Sequence, residues 1–369
     1  MDKRTQNEYT PDYAVAPGEV LAYELELRGM TRAELAKRIG LSEKHVIAII
    51  KGKGSTIITP ETAIKLERAL GMLVDYWLNL EALYQETRAR LAEQARLEKD
   101  LDWLDRIPFR AMAKLGWIEK HKDKRAQLDE LLGFFGIASV AQWKDVWPRL
   151  EVAYRQHNKH EILLEAVSAW LRQGEIEAGK IDCRKYDKKN FRAALDEVRE
   201  LTTVTEPEAF IPVLQNRCAQ AGVAVVFVPG LPKTGLSGAT RWLNPVKALI
   251  QLSLRYKSND HLWFTFFHEA GHVLLHGKKE LFLEGTKSMD KEHEAEAEAD
   301  AFARDHLIPP NAYRDFVQLG DTSLSAIKAF ADQVAIAPGI IVGRMQHERL
   351  MPHNQGNRLK VYYHWRQQA

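Results

Sequence analysis

FFHEAGHVLLH, residues 266–276, is the stretch that decides how the C-terminal part of this chain folds and what it does. His268 and His272 are four residues apart, so in a helix they lie on one face, with Glu269 at its edge. This H-E-x-x-H spacing lets two imidazole nitrogens bind one zinc ion at about 2 Å while the carboxylate reaches a metal-bound water. The alternative is an apolar core helix that contains histidines by chance.

His276 is the third histidine of the stretch, and the spacing argues against its binding the same ion. It is eight residues from His268, which corresponds to roughly 12 Å along a continuous helix. A metzincin-like bend would need a glycine after the second histidine, and HVLLH has none. We therefore expect His276 at the helix end or at the rim of a pocket.

A third metal ligand is expected from the acidic segment DKEHEAEAEADAFARDHLIPP, residues 290–310. Glu296 and Asp300 are four residues apart and border the apolar stripe of the predicted helix. Such a pair suits one ligand followed, one turn later, by a carboxylate that orients a metal-bound histidine. Glu298 lies about 200° around the helix from Glu296, so the two cannot both face the metal. The alternative is a solvated acidic face.

The N-terminal stretch TRAELAKRIGLSEKHVIAIIKG, residues 31–52, predicts a helix-turn-helix. Thr31 begins a capping box, Gly40 ends the first helix of the motif, and Ser42 can cap the second. In this motif the second helix enters the major groove of DNA. The residues expected to face the DNA are Arg32, Ser42, Glu43, Lys44, His45, Lys51 and Lys53.

The charge of the chain limits how it can bind nucleic acid. A net charge of +2, with 28% charged residues, excludes binding through bulk positive charge. Residues 30–60, however, carry six Lys and Arg against two Glu. The predicted recognition helix offers no arginine or glutamine for bidentate base contacts, so affinity should come mainly from phosphates. The alternative is a helix-turn-helix that binds only protein.

The composition favours a soluble cytoplasmic protein with no membrane contact. The chain has 369 residues, 45% of them hydrophobic, which allows two or three domains. Its two cysteines, Cys183 and Cys218, are too few for a disulfide framework or an all-cysteine zinc site. The N-terminus lacks the apolar core of a signal peptide, and the longest apolar runs are too short to span a bilayer.

Three regions follow from the pattern of elements: a helix-turn-helix domain over residues 14–90, a helical middle region over 91–205, and an α+β domain over 206–369. The runs GVAVVFVPGL, GATRWLN and KALIQLSLRY, separated by Gly, Pro and Asn, predict a small antiparallel sheet. The expected fold class is therefore multidomain and mainly α. The task of the middle region does not follow from its residues.

Three motifs of the C-terminal region, in order, resemble the ImmA/IrrE metallopeptidases: FTFFHEAGHVLLH (264–276), EAEADAFARDHLIP (296–309) and FADQVAIAPGIIVGRMQHERL (330–350). The resemblance covers roughly residues 206–365. It implies a gluzincin-like domain that hydrolyses a peptide bond in a specific protein, such as an Xre-type repressor. It also implies the site: His268, His272 and Glu296 as zinc ligands, Glu269 as general base, and Asp300 as support for a ligand.

Residues 16–85 resemble HigA-type antitoxins of the Xre class, including ITPETAIKLERALG (58–71) and YWLNLEALY (76–84). This resemblance implies a homodimer on a palindromic double-stranded operator, with a small ribonuclease toxin as a partner of the family. We therefore expect a DNA-binding regulator that carries a zinc metallopeptidase domain.

Two alternatives remain for the combination of these domains. In one, the peptidase fold serves as a non-catalytic sensor or toxin-docking module. In the other, the enzyme is primary and the helix-turn-helix only binds a partner. Glu269 favours catalysis, because a docking module has no need of a general base.

Overall fold

The computed structural model describes residues 13–52, 57–147, 164–277, 282–283 and 290–365, with only the backbone described at 282, 283 and 290–293. The chain divides into two compact units, Met1–Leu101 and Asp102–Ala369. The expectation of a multidomain, mainly helical protein is confirmed. The three-region division at residues 90 and 205 stays a prediction.

The first unit is built from helices. They are α1 (Pro17–Leu27), α2 (Arg32–Ile39), α3 (Glu43–Lys51), α4 (Pro60–Leu70) and α5 (Val74–Leu97). The predicted caps are confirmed: Thr31 accepts a hydrogen bond from the Glu34 N–H at 3.1 Å, and Ser42 accepts one from the His45 N–H at 3.2 Å. Gly40 ends α2 in the left-handed conformation, which a glycine adopts without steric cost.

Close backbone packing holds α1 against α3. The core of this unit is apolar and includes the fully buried Leu21, Leu35, Val46 and Trp77. A Cβ atom placed on Gly18 would lie 2.1 Å from the carbonyl oxygen of Ile49. The two helices can approach this closely only because residue 18 has no side chain.

The second unit contains residues 102–205 of the middle region together with the C-terminal region. A 3-10 helix, Glu98–Arg106, crosses into it from the first unit. Its α-helices are α6 (Phe109–Lys114), α7 (Lys124–Phe135), α8 (Val140–Val146), α9 (Leu164–Gly179), α10 (Lys188–Glu200), α11 (Pro207–Gln220), α12 (Asn259–Leu275), α13 (Asp290–Leu307), α14 (Pro310–Gln318), α15 (Leu324–Val334) and α16 (Pro338–His347). Short 3-10 helices follow at Leu201–Thr203 and Asn357–Leu359.

The sheet of the second unit has the order β1-β3-β2-β4, with β1 at Val223–Phe227, β2 at Gly238–Asn244, β3 at Lys247–Leu252 and a two-residue β4 at Phe282–Leu283. The prediction of an antiparallel sheet was wrong for one pair: β2 and β3 form an antiparallel hairpin, but β1 and β3 are parallel. Both β1 and β3 are buried along nearly their whole length. Near-continuous apolar strands of this kind are typical of parallel pairing with both faces covered.

The helix α9 of the middle region packs on this sheet through polar contacts. The indole of Trp170 donates to the carbonyl of Val228 at 3.0 Å, and the amide of Gln251 donates to the carbonyl of Trp170 at 2.7 Å. Arg241 on β2 pairs with Glu175 on α9 at 2.7 Å. These contacts tie α9 to the strands that support the candidate site.

The central element of the second unit is α12. Almost all of its residues are buried, and its apolar side chains join one core with β1, β3, α13 and α16. Its N-terminus is held by an ion pair between Asp260 and Lys360, 2.6 Å apart and nearly inaccessible to solvent.

No single helix in the described part of the chain is long and apolar enough to cross a membrane. The helices α15 and α16 reach that length and apolar character only when taken together, and they are bent by 114° relative to each other.

Replacing Gly18 by alanine should loosen the packing of α1 on α3, because the new Cβ would collide with backbone atoms of Ile49 and Ile50. We expect the free energy of local unfolding of α1 and α3 to fall by about 1–3 kcal/mol. Hydrogen–deuterium exchange of peptides from α1 and α3 measures it. Gly133→Ala is the matched control, since a Cβ there meets nothing within 4 Å; equal exchange in Gly18→Ala and wild type would contradict the packing argument.

Candidate functional site

Helix α12 carries His268, Glu269 and His272 in the protein interior. Their exposed fractions are 2%, 0% and 2%. Burying two imidazoles and a carboxylate is unfavourable unless each is paired or bound to an ion. Their burial therefore indicates a site that the surrounding elements are built to support.

A close crossing of α12 and α13 brings the acidic helix to these histidines. A Cβ atom on Gly271 would lie 3.2 Å from the Cα of Ala299, so the two backbones nearly touch at this point. Glu296 and Asp300 flank Ala299 on α13 and reach towards α12. The glycine between the two histidines thus permits the approach of the third candidate ligand.

The three donor groups converge on one small space. Glu296 places one oxygen 3.3 Å from Nε2 of His268 and the other 3.3 Å from Nε2 of His272. The two Nε2 atoms are 3.0 Å apart. A tetrahedral ion with bonds of 2.0–2.1 Å requires donors separated by about 3.3 Å. Two imidazoles and a carboxylate at this spacing therefore fit a zinc ion. Within the described residues, they are the one group of three or more His, Cys, Asp or Glu side chains whose ligand atoms all lie within 4.8 Å of one another.

The electrostatics of the triad favour the protonation states that a metal needs. Burial lowers the pKa of His272 to about 4, so this imidazole is neutral at pH 7. Burial raises the pKa of Glu296, but hydrogen bonds with His268 and His272 outweigh it and bring the pKa down to about 2. A neutral imidazole and an ionised carboxylate are the forms in which these two side chains bind a cation.

Asp300 supports His268 from the side opposite the triad. Its carboxylate lies 2.9 Å from Nδ1 of His268. A proton on Nδ1 makes that nitrogen the donor and leaves Nε2, the atom beside Glu296, as the acceptor. Asp300 therefore contacts a predicted ligand, and its role in orienting that ligand stays a prediction.

His276 and Glu298 continue the network behind His272. Nδ1 of His276 lies 2.9 Å from Nδ1 of His272, and Nε2 of His276 lies 3.1 Å from the Glu298 carboxylate. The pattern of residues placed His276 off the metal but did not reveal this contact. The available signal was the four-residue spacing of His272 and His276, the same spacing that joins His268 to His272.

Strand β2 lies directly against Glu269. A Cβ atom on Gly238 would lie 2.5 Å from a Glu269 carboxylate oxygen, so a side chain at residue 238 would displace the carboxylate. The hydroxyl of Thr240 donates to the carbonyl of Glu269 at 3.0 Å. The sequence pattern identified Glu269 but neither of these residues, because no local signal connects β2 to α12.

A cavity of about 370 Å³ opens beside Asp300, between α12, α13 and α16. Its apolar lining includes Phe264, Leu307 and Ile340. Phe264 also contacts the ring of His268, with centroids 6.3 Å apart. The cavity therefore begins one side chain away from a candidate ligand and is large enough for an amino-acid side chain.

The residues predicted to face DNA lie on the surface of the first unit. Arg32, Ser42, Glu43, Lys44, His45 and Lys51 are exposed, and Lys53 lies outside the described residues. The hydroxyl of Ser42 is engaged as the cap of α3. Lys44 and Lys51 stand near the two ends of α3, and neither forms an ion pair within the described part of the chain. Their positive charge is available to a phosphate.

Comparisons with known families agree with this two-part arrangement. Residues 21–77 match the helix-turn-helix family, and residues 218–332 match the IrrE N-terminal-like domain. The second match contains the whole of α12 and of α13, which carries Glu296 and Asp300.

The N-terminal part is also similar to individual antitoxins. Antitoxin HigA-1 of Vibrio cholerae is 37% identical over 90 residues, which are 24% of this chain and 83% of that protein. The solved structure of a HigA-family addiction module antidote protein from Coxiella burnetii is 35% identical, covers 23% of this chain and 91% of its own, and has a TM-score of 0.21. A plasmid maintenance antidote protein from Nostoc punctiforme is 30% identical over 23% of this chain and 92% of its own, with a TM-score of 0.22.

Acidification should destabilise the metal-free protein between about pH 6.5 and pH 4. The pKa of His272 falls from 6.5 to about 4 on folding, so the unfolded chain binds one more proton across this interval. The free energy of unfolding therefore decreases as the pH is lowered, by on the order of 3 kcal/mol from this group. Denaturant unfolding with a chelator present, at pH 7 and pH 4.5, measures the difference. His272→Gln should reduce this difference between the two pH values. An unchanged difference in that variant would show that His272 is not the group responsible.

Proposed function

The chain belongs to the family of HigA-type helix-turn-helix antitoxins through its N-terminal part and carries an IrrE N-terminal-like domain, and on this basis we propose that it is a DNA-binding regulator with a zinc-dependent peptidase domain. The observation that supports the catalytic half is the triad of His268, His272 and Glu296, with donor atoms 3.0–3.3 Å apart. Glu269, fully buried on the same helix, supports hydrolysis over simple metal storage.

The proposed chemistry assigns one task to each residue. His268, His272 and Glu296 hold the ion, and Asp300 orients His268 through its Nδ1 atom. A zinc ion at this site would polarise a peptide carbonyl and make a water molecule more acidic. Glu269 accepts the proton of the attacking water and returns it to the leaving amine. Strand β2 covers one side of Glu269, because only a glycine at residue 238 leaves room for its carboxylate.

We propose a protein as the substrate, with an Xre-type repressor as the favoured class. A peptidase tethered to a DNA-binding unit is concentrated near other proteins bound at the same DNA. The cavity beside Asp300 offers space for an apolar side chain of such a target. Cleavage of such a repressor at one site would then release it from the operator.

The DNA-binding half is proposed to act as a homodimer on a palindromic operator in the cytoplasm. Helix α3 presents Lys44, His45 and Lys51 to the solvent, as a helix that enters the major groove must. Three large apolar side chains around α5, Leu73, Tyr76 and Leu83, are 68%, 44% and 60% exposed. Exposed apolar side chains along one segment favour self-association. A small ribonuclease toxin is the partner proposed from the similarity to Antitoxin HigA-1.

Substitutions at Glu269 and Glu296 separate catalysis from metal binding. Glu269→Gln should retain stoichiometric zinc, because this side chain is not a proposed ligand, yet lower cleavage of a repressor substrate about 10²–10⁴-fold. Glu296→Ala should lose the metal, because it removes one of three donors. Elemental analysis and a cleavage assay measure the two effects.

The matched control is Glu294→Ala, on the same helix but exposed and away from the triad. Zinc retention in Glu296→Ala equal to that of the control would overturn the ligand assignment. A wild-type protein that binds zinc but cleaves no repressor encoded beside it would favour the sensor or docking alternative.

Substitution of Lys44 and Lys51 by alanine should weaken operator binding and its dependence on salt. Each phosphate contact contributes about 0.9 to the slope of log affinity against log salt, so the double variant should lose about 2 from that slope. Fluorescence anisotropy with DNA from upstream of the gene, at several salt concentrations, measures it. Arg90→Ala serves as control because Arg90 is already paired with Glu86 at 2.8 Å. An unchanged slope in the lysine variant would remove these residues from the interface.

A further inference from the structure

His276 contacts His272, and Glu298 contacts His276, on the side of His272 away from the candidate metal site. The inference drawn from these contacts rests on the metal centre of the proposed function. We propose that His276 and Glu298 form a relay that positions His272 and sets the metal affinity of the site. Both are positioning residues, because they act on the metal site through His272.

The hydrogen bonds of the relay are consistent with one set of protons. If Nε2 of His272 faces the metal, its proton lies on Nδ1 and is donated to Nδ1 of His276, 2.9 Å away. The proton of His276 then lies on Nε2, which donates to the Glu298 carboxylate at 3.1 Å. Both imidazoles are neutral in this arrangement, and every donor meets an acceptor.

The end of α12 allows His276 to reach this place. The helix stops at Leu275, and His276 is its cap, with the extended backbone angles φ −110° and ψ 171°. A residue at the end of a helix is free to turn its side chain towards a neighbouring helix. The carboxylate of Glu298 on α13 meets the His276 ring, 3.1 Å from its Nε2 atom.

The relay passes from the interior to the surface. The side chain of His272 is 1% exposed, that of His276 is 8% exposed, and that of Glu298 is 56% exposed. His268 is backed directly by Asp300, so each ligand histidine has a carboxylate behind it, one in contact and one through a second ring. A carboxylate behind a ligand histidine fixes its tautomer and raises its basicity, and loss of such a partner lowers metal affinity about 10–100-fold.

The experiment measures zinc affinity in full-length variants by competition with a chromophoric chelator at one fixed pH. His276→Phe keeps an aromatic ring but removes the acceptor for His272, whereas His276→Gln keeps an acceptor. Glu298→Ala removes the outer carboxylate, and Glu294→Ala controls for the loss of one negative charge on α13. The absorption bands of the Co²⁺-loaded protein report the ligand geometry independently of activity.

We expect the dissociation constant for zinc to rise about 10–100-fold in His276→Phe and less in His276→Gln, with shifted Co²⁺ bands in the first. Glu298→Ala should weaken binding in the wild-type background but not in His276→Phe, since the relay is already broken there. Glu294→Ala should bind like wild type.

Two results would overturn the relay. One is a wild-type dissociation constant and Co²⁺ spectrum in both His276→Phe and Glu298→Ala; the other is a Glu298→Ala effect that persists undiminished in His276→Phe. Failure of the wild type itself to bind zinc would instead reject the metal centre of the proposed function.

Discussion

The close crossing of α12 and α13 is the constraint on which the candidate site depends. Gly271 lets the backbone at Ala299 come within contact distance, and only at this separation can the Glu296 carboxylate reach two imidazoles of the other helix. The rest of the second unit holds this crossing in place. Strand β2 supports α12 through Thr240, and the Asp260–Lys360 ion pair holds the N-terminus of the helix.

The buried histidines show how the protein arranges charge around an interior site. Burial alone disfavours protonated imidazole, as the pKa of about 4 for His272 shows. The carboxylates that contact the histidines, those of Glu296, Asp300 and Glu298, come from α13. Glu296 faces both histidines, while Asp300 and Glu298 stand behind them. The acidic, alanine-rich composition of α13 thus has a structural reason: small residues permit the close approach, and acidic residues surround the imidazoles.

The two units use charge in different ways. In the first unit, positive side chains stand exposed on α3, where solvent and salt screen them and phosphates can reach them. In the second unit, the charged groups of the triad are largely removed from water, so each interaction is stronger and each missing partner more costly. Each substitution at the surface of α3 should therefore change DNA affinity by a small amount. A single substitution in the triad should instead have a large effect on the site.

Local pattern alone determined much of this protein. The caps of α2 and α3, the H-E-x-x-H face of α12 and the four-residue spacing of Glu296 and Asp300 depend on residues near in sequence, so helical periodicity was sufficient to find them. Only the tertiary structure decided the parallel pairing of β1 with β3, the contact of Gly238 with Glu269, and the contacts that join His272 to Glu298 through His276. These join residues distant in the chain or depend on where a helix ends. Which segments meet is set by packing of the whole core, and no single segment encodes it.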